Sequence, residues 1–83
     1  LRGEYPQAIE AFRRVLRTQA TTPEAATVID LAQLALGRLY YETDQLDQAI
    51  EAYQAVPRTS LHFDDALYEI AWVYIRLGDS TRA

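Results

Sequence analysis

The chain repeats itself at a spacing of 34 residues. Residues 36–53 read LGRLYYETDQLDQAIEAY, and residues 70–83 read IAWVYIRLGDSTRA. Shifted by 34, Leu36 falls on Ile70, Gly37 on Ala71, Tyr40 on Tyr74, Asp44 on Gly78 and Ala49 on Ala83. An earlier copy, GEYPQAIEAF at residues 3–12, aligns with DQLDQAIEAY at 44–53, sharing Gln-Ala-Ile-Glu-Ala and a closing aromatic. A period in this range marks units that cannot bury their apolar face alone and must stack on their neighbours. The expected fold is therefore a slice of a helical solenoid, and the expected activity is binding.

The repeated positions resemble those of the tetratricopeptide repeat (TPR), a helix–turn–helix unit. The family favours an apolar residue followed by a small one in its first helix, then an aromatic. Leu36-Gly37 with Tyr40 matches this, and Ile70-Ala71 with Tyr74 matches with Ala in place of Gly. Gly78-Asp79 and Gly3-Glu4 fit the family's turn, and Ala8 with Phe12 and Ala49 with Tyr53 fit its second helix. Three positions depart: Gln33 replaces a bulky residue, Asp44 replaces the turn glycine, and Pro57 arrives early. The resemblance implies an all-α fold of antiparallel helix–turn–helix repeats, stacked as a short right-handed solenoid of about four helices.

Read in detail, residues 1–83 form one TPR-like piece. Residues 1–22 are the second helix of a truncated repeat plus a loop, 23–62 a complete repeat, and 63–83 the first helix of another truncated repeat. Pro6 opens the first helix, which runs to about Arg17, with an apolar stripe of Ala8, Ile9, Phe12, Val15 and Leu16. Arg13, Arg14 and Arg17 suit the negative end of its dipole, although three arginines are also able to grip an acidic partner. Thr22 caps the next helix, which starts at Pro23 and runs to Glu42 or Thr43. From Gly3 to Asp44 is 41 residues, seven more than 34, so this helix is expected to be lengthened at its N-terminus as a ledge. The return helix is expected at 46–56, stopped by Pro57, with Leu46, Ala49, Ile50, Tyr53 and Val56 inward. The last is expected from Phe63 to Leu77, with Gly78 as its stop. A start at Leu1 midway through a repeat points to a fragment of a longer protein.

Composition removes several classes of function. A net charge of −4 argues against a phosphate backbone as partner, so no nucleic acid is expected. No apolar run approaches the roughly 20 residues of a membrane span, so no membrane insertion is expected. There is no Cys, and His62 is the only imidazole, so Ser60 and Ser80 lack the partners of a nucleophilic triad. His62 with Asp64 and Asp65 is an unspecific metal spacing, and the two carboxylates suit a helix N-terminus without any metal. The chain is not expected to be an enzyme, nor to carry a metal or cofactor.

The aromatics divide into two sets. Phe12, Tyr40, Tyr53 and Tyr74 lie at family core positions, and Leu67, Ile70, Ala71 and Tyr74 form the stripe of the last helix that should meet a return helix. Tyr68, Trp72, Ile75 and Arg76 share an adjoining face, which in the family lines the concave groove that holds peptides. The resemblance thus implies a partner-binding surface of Leu34, Arg38, Tyr41 and Glu42 on one helix and Asp65, Tyr68, Glu69, Trp72 and Arg76 on the other. Aromatics and arginines are the residues that interface hot spots favour. The competing reading has Tyr68 and Trp72 packing on a further repeat. Recognition of chaperone tails is unlike this face, because the chain has no Lys and no Asn.

Two functions follow: a protein-interaction scaffold holding a peptide or helix of a protein partner, or a structural module that assembles with itself. Uncovered apolar stripes on the first and last helices predict dimerisation or helix swapping at high concentration. The segment AVPRTSLHFDDALYEIAWVYIRLGD is similar to bacterial TPR proteins of the cell envelope. It points to a bacterial source and favours the periplasm or envelope, with the cytoplasm left open.

Overall fold

A computed structural model describes residues 4–18 and 21–82, with side chains as far as Gly78. Four helices follow one another: α1 (Tyr5–Leu16), α2 (Pro23–Glu42), α3 (Leu46–Gln54) and α4 (Phe63–Arg82). The described residues contain no strand. Each helix packs mainly on its neighbour in sequence, α1 on α2, α2 on α3 and α3 on α4. The resulting slab measures 45 × 30 × 16 Å, too thin to enclose any helix on all sides.

The start of α2 is built from its sequence. Thr22 adopts an extended backbone, and its hydroxyl accepts the Ala25 N–H at 3.1 Å, with Pro23 in the first helical position. Phe63 at the head of α4 corresponds to Ile29, and α2 begins six residues earlier. None of residues 23–31 is buried, so the extra length adds helix without adding core.

The α2–α3 turn explains the missing glycine. Asp44 itself takes the left-handed conformation, with φ of 65°. The Asp44 N–H donates to Tyr41 O at 3.1 Å and the Gln45 N–H to Tyr40 O at 2.8 Å, the paired bonds of a Schellman cap. Asp is among the few residues with a side chain that visit this region at modest cost.

The core is a seam of Leu34, Leu36 and Tyr40 from α2 against Leu46, Ala49, Ala52 and Tyr53 from α3, extended by Val56, Ala66 and Val73. The Tyr53 ring lies across Gly37 so closely that a Cβ there would stand 2.6 Å from it. Glycine at this position is a requirement of packing, since the backbone at Gly37 is ordinary helix.

Three expectations are corrected. α3 ends at Gln54, two residues before 56, because Ala55 and Val56 already turn away, with Val56 N–H donating to Tyr53 O at 3.2 Å. Pro57 disfavours helical backbone at Val56 and has no N–H to return to Tyr53, so the helix closes ahead of it, as expected. α4 continues through Gly78 to Arg82, since that glycine keeps a negative φ and a lone glycine costs a helix only about 1 kcal/mol. Finally, α4 meets α3 through Ala66 and Val73, with Phe63, Ile70 and Leu77 partly buried beside them. Leu67 and Tyr74 are 52% and 49% exposed, so Tyr74 is not a core residue among the described ones. Leu67, Ala71 and Tyr74 of the α4 stripe are exposed, as expected of a stripe left uncovered, and Ile70 is shared with the side that docks on α3.

Candidate partner-binding pocket

The pocket forms where α2, α3 and α4 come together, and its frame is a carboxylate. Glu69 lies on α4 one turn before Val73, whose burial turns this part of the helix towards α2 and α3. Arg38 grips it with two bonds, Nε to Oε1 at 2.8 Å and Nη2 to Oε2 at 2.6 Å. The Tyr53 hydroxyl donates to the same Oε1 at 2.9 Å. One side chain from each of three helices thus meets at Glu69. A bidentate pair of this kind fixes orientation as well as distance.

The electrostatics follow from that geometry. The Arg38 guanidinium, aided by the Tyr53 hydroxyl and opposed by burial, holds the Glu69 carboxyl below its ordinary range. Burial, then the hydrogen bond to Glu69, pushes the Tyr53 phenol well above its usual value. The hydrogen bond to Glu69 raises the Arg38 guanidinium in turn. All three groups are therefore locked in the forms that bind one another at neutral pH.

Around this frame lies a pocket of about 180 Å³, lined by Arg38, Tyr41, Glu42, Tyr53, Glu69 and Trp72. Trp72 is 51% exposed and meets Tyr68 edge to face, with ring centroids 6.2 Å apart and planes at 75°. Tyr68 stands further out, at 66% exposure. Arg76 braces the Tyr41 wall from outside the pocket: its guanidinium sits 4.8 Å over the Tyr41 ring, donates to Tyr41 O at 3.3 Å and pairs with Asp44 at 3.1 Å. The cavity is a half-open slot with aromatic walls, suited to an apolar or amphipathic side chain.

The structure sorts the residues expected from the sequence. Arg38, Tyr41, Glu42, Glu69 and Trp72 converge on the pocket, and Tyr68 and Arg76 flank it. Asp65 is not among the lining residues and faces His62, its carboxylate 3.9 Å from Nδ1. Leu34 is withdrawn from the surface set: it is 2% exposed and belongs to the core. Both arginines expected to meet a partner already hold partners within the chain. Arg13 is likewise engaged, donating to the Tyr40 hydroxyl at 3.1 and 2.7 Å.

Tyr53 is the lining residue that sequence reasoning assigns to packing alone. Its ring does pack, yet its hydroxyl belongs to the pocket. The signal is the one difference between QAIEAF in α1 and QAIEAY in α3: the copy beside the pocket carries an oxygen.

A family model described as Tetratricopeptide repeat matches residues 2–60 and again residues 34–83. No curated protein and no solved structure matches the chain.

Proposed function

We propose that this chain, which belongs to the tetratricopeptide repeat family, is a protein-interaction scaffold whose α2–α4 pocket seats one side chain of a partner segment. TPR units generally mediate protein–protein contacts and are typically non-enzymatic scaffolds. The observation that carries the reading is Trp72, half exposed on the wall of a cavity whose polar floor is already satisfied. An exposed tryptophan braced by a tyrosine is the kind of anchor that dominates interface energetics.

Charge narrows the partner. Arg38 is matched by Glu69 and Arg76 by Asp44, while Glu42 lines the pocket with no ion pair among the described residues. A segment carrying an apolar side chain beside a basic one fits this arrangement best. It places its cation near Glu42 and the face of Trp72.

Trp72 is also the only tryptophan, so binding is readable from its fluorescence. Peptides pairing leucine or phenylalanine with arginine are expected to shift its emission, and acidic counterparts are not. Tyr68→Ala with Glu42→Gln should weaken binding roughly tenfold or more while circular dichroism stays helical. Equal response to basic and acidic peptides, or unchanged affinity in that variant, would refute the proposal.

A further inference from the structure

The molecule contains one complete helix pair that serves as a template, α2 against α3. On α3 the covering residues Ala49, Ala52 and Tyr53 are all buried. α1 repeats that segment as Ala8, Ala11 and Phe12, yet Ala8 and Phe12 are only half-buried and Ala11 is exposed. At the other end, α4 repeats the covered face of α2. Leu36, Gly37 and Tyr40 recur as Ile70, Ala71 and Tyr74, with Leu67 in the place of Gln33. Among the described residues nothing covers Leu67, Ala71 or Tyr74. One end of the slab thus shows an open α2-type face, and the opposite end an open α3-type face.

From this complementarity we infer that copies of the chain join head to tail, α1 of one copy seating on α4 of the next as α3 seats on α2. The pairing is antiparallel, as in the template, so the C-terminal end of α1 lies along the N-terminal half of α4. Charge supports that direction. α1 ends in Arg14 and Arg17, and α4 begins with Asp64 and Asp65. Among the described residues neither Arg14 nor Asp64 makes an ion pair. The contact joins two different faces, so each copy keeps one open end and assembly lengthens with concentration. Ala71 stands where the template has Gly37, so Phe12 must ride over a methyl group. The seam between copies is therefore looser than the seam within one, and the association is reversible.

Sedimentation with face-specific variants tests this. Ala11→Arg blocks the α1 face, and Tyr74→Arg blocks the α4 face. For the unaltered chain the average mass should climb with concentration, past twice the 9.5 kDa of one copy. Each variant alone should remain monomeric up to about 1 mM. An equal mixture should form a dimer and stop there, because only one productive pair of faces remains. Both sites are exposed or half-exposed, and circular dichroism checks the fold; Leu67→Arg replaces Tyr74→Arg if that variant unfolds. A chain that stays monomeric at about 1 mM would overturn the inference. So would dimers that persist in either variant alone, the mark of a like-with-like contact or a swapped helix.

Discussion

Two glycines in helices do opposite things. Gly37 lies under the Tyr53 ring, where a methyl group would stand 2.6 Å from ring carbons, whereas nothing lies within 4 Å of one at Gly78. Gly78→Ala should stabilise the chain by up to about 1 kcal/mol, the propensity gain alone. Gly37→Ala has the same gain but adds overpacking of roughly 1–3 kcal/mol, because the ring is buried and tied to Glu69. A net loss of about 1 kcal/mol is expected, and urea midpoints for the two variants check both signs. At this scale the sequence was partly legible. The small residue at Gly37 was expected from the repeat, and so was the departure at Asp44. That Asp44 would hold a positive φ, and that the Tyr53 oxygen would reach Glu69, depended on atoms from elements distant in sequence.

Among the elements, the starts of helices were easier to read than their ends. Thr22-Pro23 marks a boundary by local chemistry, a hydroxyl cap and a ring with no N–H to lose. The end of α3 comes two residues ahead of the expected one because Pro57 already restricts the residue before it, and α4 runs past Gly78 because a lone glycine permits termination without compelling it. α2 also divides into unequal halves, since burial begins only at Ala32. Loss of the cap should therefore be felt locally. Thr22→Ala removes a bond worth about 1 kcal/mol, but it should speed amide exchange mainly before Ala32 and move the urea midpoint little. A midpoint shift corresponding to the full cap energy would mean that the first turns fold cooperatively with the core.

For the whole molecule, Glu69 couples stability to pH at both extremes. Its carboxyl is held below the ordinary 4.5, so its stabilising contribution is complete above that value and fades as pH falls through the lowered folded one. The Tyr53 phenol is raised above 10.0, so its contribution is complete below that value and fades as the solution becomes more alkaline. A plateau of stability between these limits is expected. Glu69→Gln should lower the plateau by about 1 kcal/mol, after allowance for solvent screening of a partly exposed pair, and should flatten the acid limb. Urea midpoints taken across pH decide this, and an unchanged acid limb would assign acid sensitivity to other carboxylates. The order of helices and most of the α2–α3 seam could be read from the 34-residue period, because periodicity encodes which faces meet. The side from which α4 docks could not, because a helix in such a stack has two apolar faces and the pattern does not rank them.

The extra N-terminal length of α2 bears on how such a chain tolerates change over generations. The six residues by which it begins early carry no buried side chain, so the seam from Ala32 onward keeps its partners whatever their number. An insertion of two or five residues before Ala32 would turn only the exposed first part of the helix and the approach from α1, while Leu34, Leu36 and Tyr40 stay against α3, which follows them in the chain. Length before Ala32 is therefore a place where a lineage can add or lose residues without remaking the core, provided that the connection from α1 still reaches.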